Sequence, residues 1–141
     1  MSEFEDFIKS GEVKIKEKNN KLADALTNSS GKGESHAKKQ ELNEENAEFI
    51  VADVYDAIRE IIEAKLALEG YKSYSHEATV PFLKKFKEFG ELEVAFLDNL
   101  RKIRHGIKYY GKESGIDEAK KSLEFLDAIL PKLKNLLKNE K

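Results

Sequence analysis

The chain has no cysteine, no tryptophan, one methionine, two prolines and three histidines in 141 residues. Without cysteine there is no disulfide framework, no thiolate metal site and no cysteine nucleophile. His36, His76 and His105 lie far apart, and none has a second ligand at metal-binding spacing, so neither a metal nor any other cofactor is expected. Gly31-Lys32-Gly33 lacks the GxxxxGK[ST] spacing of a phosphate loop. No strand–turn–helix elbow is available to carry a serine triad. No apolar run approaches the ~20 residues that span a bilayer, and the acidic start MSEFEDFIKSGE is unlike a signal or transit peptide. The expected location is the cytoplasm, with no membrane partner. A net charge of -2 excludes whole-surface attraction to nucleic acid, so any anion-binding site must be local.

What the chain does have is helical periodicity. In Glu91–Gly111, ELEVAFLDNLRKIRHGIKYYG, the apolar residues Phe96, Leu100, Ile103, Ile107 and Tyr110 recur every three or four positions, one face of an α-helix. Arg101, Arg104, His105 and Lys108 run beside them with the same spacing. One helix thus carries a core stripe and a basic stripe, and any chemistry is expected there. Arginine offers a planar fork of donors that fits phosphate oxygens. Histidine can pass a proton near neutral pH. Tyr109 and Tyr110 follow and can stack on a base.

The rest reads in order. Glu3–Ser10 is a short helix stopped by Gly11, and Val13 and Ile15 alternate with charges as an extended piece. Asn19 or Asn20 caps a helix through Leu22, Ala25 and Leu26, and the small and polar residues of Thr27–Ser35 read as a loop or mobile hairpin tip. Asn43 starts a helix over 44–69 that stops at Gly70 and is apolar around most of its circumference. That pattern requires a central helix packed on several sides. Its polar strip is Asp53, Asp56, Glu60 and Glu63. The strip is either a solvated seam or brings Asp53 or Asp56 to face the basic stripe.

Gly70–Ser75 reads as a turn, and Ser75 or Thr79 caps a helix carrying Val80, Phe82, Leu83, Phe86 and Phe89 up to Gly90. Asp117 opens a last helix with a seam of Ile116, Ala119, Leu123, Leu126, Leu130, Leu133 and Leu137, interrupted by Pro131. No segment sustains strand alternation. The fold expected is one all-α domain: an antiparallel up-and-down bundle of four main helices with one or two short extra ones.

Three stretches, YDAIREIIEAKLALEGY, SYSHEATVPFL and LRKIRHGIKYYG, resemble the HEPN domain family, across roughly residues 47–137. The first resembles its central helix, the second the following turn and helix, the third its signature helix. The resemblance implies a dimer whose signature helices meet at a shared cleft. In active members it implies metal-free RNA cleavage, often within toxin–antitoxin or defence systems beside a nucleotidyltransferase. The signature is an arginine, a polar residue and, after four to six intervening positions, a histidine. Arg104 and His105 match its first two positions, but Tyr109, Tyr110 or Gly111 stands where the histidine belongs. Asp53 or Asp56 matches the acidic position of the central helix.

The function expected is therefore a weakly active or non-catalytic dimer. It would bind RNA or a nucleotide through Arg101, Arg104, Lys108, Tyr110, Asp53 and Asp56. A metal-independent ribonuclease using Arg104 and His105 with Tyr109 is the alternative. The third reading is a helical interaction module whose basic stripe only pairs with acids on neighbouring helices.

Overall fold

The computed structural model describes residues 3–138, and they form six α-helices and one two-stranded ribbon. The fold is all-α. The helices are α1 (Phe4–Ser10), α2 (Asn20–Lys39), α3 (Ala47–Leu68), α4 (Thr79–Leu83), α5 (Glu91–Tyr110) and α6 (Ile116–Lys138). Four of them are long and alternate in direction. Ser29 of α2 meets Glu60 of α3, while His36 meets Asp53. Likewise, Lys38 and Glu34 of α2 meet Asp127 and Lys134 of α6. At the other side of the bundle Glu93 of α5 meets Lys132 of α6, with Phe96 against Phe125.

The central helix is α3, which packs against α2, α5, α6 and α4. Ile50, Val54, Ile58, Ile61 and Ile62 are buried along its length. Each fully buried aliphatic side chain of this size contributes about 1.5–3 kcal/mol, so this one helix supplies much of the core. Gly70 follows α3 with φ +83°, the left-handed conformation that glycine adopts at no steric cost.

Four expectations need correction. Thr27–Ser35 is not a loop; α2 runs straight through it. The buried positions Ala23, Ser30 and Ala37 are seven residues apart on one face; on α3, Ser30 meets Ala57 and Ala23 clusters with Ala64. The Ser30 hydroxyl donates to the Ala57 carbonyl at 2.6 Å and the Ser29 hydroxyl to Glu60 at 2.6 Å. Small side chains here let two helices approach closely, and that packing outweighs the low helix propensity of serine and glycine.

Conversely, the helix expected up to Gly90 is α-helical only over Thr79–Leu83. Phe82, Phe86 and Phe89 still turn inward, with Phe82 and Phe86 edge to face at 5.3 Å. Thus one of the four main helices is α2 rather than the segment before Gly90.

Finally, Gly70–Ser75 is more than a turn. Tyr71–Ser73 (β2) pairs antiparallel with Val13–Ile15 (β1), Val13 opposite Ser73 and Ile15 opposite Tyr71. The ribbon rests on Phe4, whose ring meets Tyr71 at 5.2 Å and Phe82 at 5.0 Å. Asn43 heads the turn before α3 instead of the helix itself, accepting from the backbone N–H of Glu45 and Asn46.

Candidate functional site

After β2, Ser75 accepts from the Glu77 N–H at 3.2 Å and so caps a single 3-10 turn, His76–Ala78. This cap holds the turn against α3 and α5. A cleft of about 240 Å³ lies between the three elements, lined by Tyr55, Ser75, His76, Glu77, Arg101, Arg104, His105 and Tyr109.

Arg104 is fixed in the cleft wall. Its Nε lies 3.2 Å from Asp56 Oδ1 and its Nη2 3.5 Å from Asp56 Oδ2. Asp56 is shared, since Arg59 Nη2 approaches its Oδ1 at 3.5 Å. Arg59 in turn donates to Glu63 at 2.8 Å, and the other oxygen of Glu63 lies 3.2 Å from His76 Nδ1. A chain of alternating charge thus runs Arg104–Asp56–Arg59–Glu63–His76, from α5 across α3 to the 3-10 turn. An ionised carboxylate only accepts, so Glu63 requires a proton on His76 Nδ1 and leaves Nε2 with the free lone pair in the neutral ring. Arg101 pairs with Asp98 at 3.0 Å on its own helix.

Tyr55 closes the cleft from α3. It is 2% exposed, and its hydroxyl lies beside that of Thr79, short of a well-formed hydrogen bond. The Thr79 hydroxyl beside it donates instead to the His76 carbonyl at 2.8 Å. Burial pushes the Tyr55 phenol above its ordinary pKa, with Thr79, Arg59 and Arg101 opposing the shift, so it stays a neutral donor. At the mouth, the His105 ring contacts Tyr109 at 4.7 Å and Tyr110 at 5.7 Å.

Of the residues expected from the sequence, Arg101, Arg104, His105 and Tyr109 converge, with Asp56 behind them. Asp53 does not. It faces α2, 2.8 Å from His36 and 3.2 Å from Gln40, because three residues along α3 leave it about 60° around the helix from Asp56, enough to turn it to α2 instead of α5. Lys108 and Tyr110 are exposed on α5 outside the cleft lining. Sequence reasoning missed Tyr55, Arg59 and His76. Asp56-Arg59-Glu63 carried a signal, alternating charge at i, i+3 and i+7 on one helix face. His76 carried none, since only the ribbon and its following turn bring it to α5.

Among the described residues, no group of three or more acidic, histidine or cysteine side chains could hold a metal ion. No helix among them is long and apolar enough to cross a membrane. Compared with known proteins, the chain matches no family model, no curated protein and no solved structure.

Proposed function

We propose that this cleft binds a phosphate group of RNA or of a nucleotide, in a HEPN-like helical homodimer. The observation that carries the reading is the convergence of Arg101 and Arg104 on one cleft lined by Tyr55, whose buried hydroxyl has no well-formed hydrogen bond. A buried unsatisfied hydroxyl costs about 1–3 kcal/mol. A phosphate oxygen between the arginines would accept from it and remove that cost on binding. The ion pairs of Arg101 and Arg104 are also what a purely structural stripe would show. Such a stripe does not require a weakly partnered tyrosine hydroxyl behind it. The exposed rings of Tyr109 and Tyr110 support stacking on a base or contact with a second copy. The homodimer and a nucleotidyltransferase partner rest on the resemblance.

His76 favours a second reading, cleavage. RNA scission without metal needs a base for the 2'-hydroxyl proton, an acid for the leaving 5'-oxygen and donors for the phosphorane charge. The 2'-oxygen bonds to phosphorus as the P–O5' bond breaks, leaving a 2',3'-cyclic phosphate and a 5'-hydroxyl. His76, oriented by Glu63, and His105 line one cleft and supply two proton-transfer groups that α5 alone lacks. Arg101 and Arg104 would hold the charge.

Incubating the protein with labelled single-stranded RNA in EDTA separates the readings. Salt-dependent binding without cyclic phosphate product supports the first. Product formation that is lost in both His76→Ala and His105→Ala establishes the second. No binding at any salt concentration, with Arg104→Ala only lowering the melting temperature, leaves the structural module.

A further inference from the structure

His76 stands between two hollows. One face borders the arginine cleft. The other borders a second pocket of about 240 Å³, between α2 and β2, lined by Leu22, Leu26, Leu66, Tyr71, Glu63, Lys72, Ser73 and His76. The two differ in polarity. The first holds two arginines, each paired with an aspartate, beside Glu77, and is aromatic at its mouth. In the second, Leu22 and Leu26 stand one helical turn apart on α2, Leu66 is buried beneath them, and Tyr71 forms a wall. Its polar groups include the Glu63 carboxylate and the Ser73 hydroxyl.

We infer that this second pocket takes the purine base of a nucleoside phosphate whose phosphate lies in the arginine cleft, so that His76 is the partition between base and phosphate. The inference rests on the phosphate-binding reading above and adds the identity of what the phosphate carries. The pocket lies below the ~300 Å³ typical of small-molecule sites, which suits one flat ring system and no more. The apolar surface of Leu22, Leu26 and Leu66 suits the face of a base. Glu63 uses its two oxygens on Arg59 and His76, and each carboxylate oxygen retains accepting capacity for a purine N–H. Tyr71 is already held by Phe4 and Phe82, so the wall exists before the ligand arrives.

Calorimetric titration of the full chain with GMP, AMP, ribose 5-phosphate and inorganic phosphate tests this. Wild-type protein is expected to bind GMP or AMP at least tenfold more tightly than ribose 5-phosphate. Leu26→Trp, which fills a partly exposed position, is expected to abolish that preference and leave ribose 5-phosphate affinity unchanged, whereas Arg101→Ala weakens all four ligands. Should Leu26→Trp fail to fold, leucine methyl NMR on the wild type takes its place. GMP must then shift the Leu22, Leu26 and Leu66 signals by its ring current, and ribose 5-phosphate must not. A single-stranded oligoadenylate run beside the mononucleotides shows whether the base comes free or at an RNA end. Equal affinity for GMP, AMP and ribose 5-phosphate, or methyl signals that stay still, overturns the base pocket while the phosphate site stands. Binding of none of these ligands overturns both.

Discussion

Asp56 Oδ1 lies 3.2 Å from Arg104 Nε, and the same oxygen lies 3.5 Å from Arg59. One carboxylate therefore stands between two guanidinium groups, one from α5 and one from its own helix. The arrangement orients Arg104 and at the same time offsets part of its charge toward the cleft.

Asp56→Asn is accordingly expected to move two properties in opposite directions. Stability falls by about 1 kcal/mol, the scale of a partly exposed ion pair. Affinity for phosphate or RNA rises by up to about fivefold, because a competing carboxylate is gone. Thermal melting and anisotropy titration on one preparation check both. A stripe that is structural alone predicts the loss without the gain.

The course of α2 through its glycines is testable by substitution. A Cβ on Gly31 meets nothing within 4 Å, and one on Gly33 would sit 3.7 Å from the Ala57 methyl, an ordinary contact. Both Gly31→Ala and Gly33→Ala should raise unfolding free energy by about 0.5–1 kcal/mol, the helix-propensity difference. Gly33→Leu should instead lose about 1–3 kcal/mol by overpacking against α3. Chemical denaturation measures all three. Neutral alanine variants would show that 27–35 is not helical in solution.

Gly70→Ala should be among the most damaging small substitutions. Its φ of +83° disfavours any side chain, and a Cβ there would lie 2.7 Å from the Lys16 carbonyl oxygen. A loss of at least about 2 kcal/mol follows from the left-handed backbone together with that clash. Because Gly70 also accepts the Lys16 N–H at 2.6 Å, faster amide exchange in the β1–β2 ribbon should accompany the loss.

Glu93 gives the pH dependence its sign. Burial works against its charged form, but hydrogen bonds from Lys132 at 2.6 Å and the Gly90 N–H at 3.1 Å outweigh it and hold the carboxyl below its ordinary pKa. The folded value thus lies below the unfolded value of about 4.3. The stabilisation is complete above that range and disappears as pH falls through the folded value. Glu93→Gln should cost about 1 kcal/mol at pH 7, and the difference from wild type should shrink progressively below about pH 4.3. Denaturation midpoints measured from pH 3 to 7 test this; a constant difference would contradict it.

The legibility of the chain follows the range of its interactions. Helix α5 was readable from Glu91 to its stop at Gly111 because apolar period and terminating glycine agree locally. The apolar circumference of α3 announced a central helix for the same reason. Helix α2 was legible only through Leu26, because beyond it the buried positions are Ser30 and Ala37, small residues whose value lies only in how closely α3 can approach. Arg101 and Arg104 declared themselves as a stripe. Tyr55 passed for one more core aromatic, since nothing in a sequence records that a hydroxyl lacks a well-formed hydrogen bond. His76 reaches the cleft through the β1–β2 pairing, which joins segments nearly 60 residues apart.

The most direct test is Tyr55→Phe, which deletes one oxygen at the wall of the cleft. If that hydroxyl waits for a phosphate, the variant is as stable as wild type or up to about 1–2 kcal/mol more stable. It should also bind single-stranded RNA or a nucleoside phosphate at least about fivefold more weakly, the scale of one hydrogen bond. RNA and nucleotide affinity that stays unchanged in Tyr55→Phe would contradict the assignment of this cleft as the phosphate site.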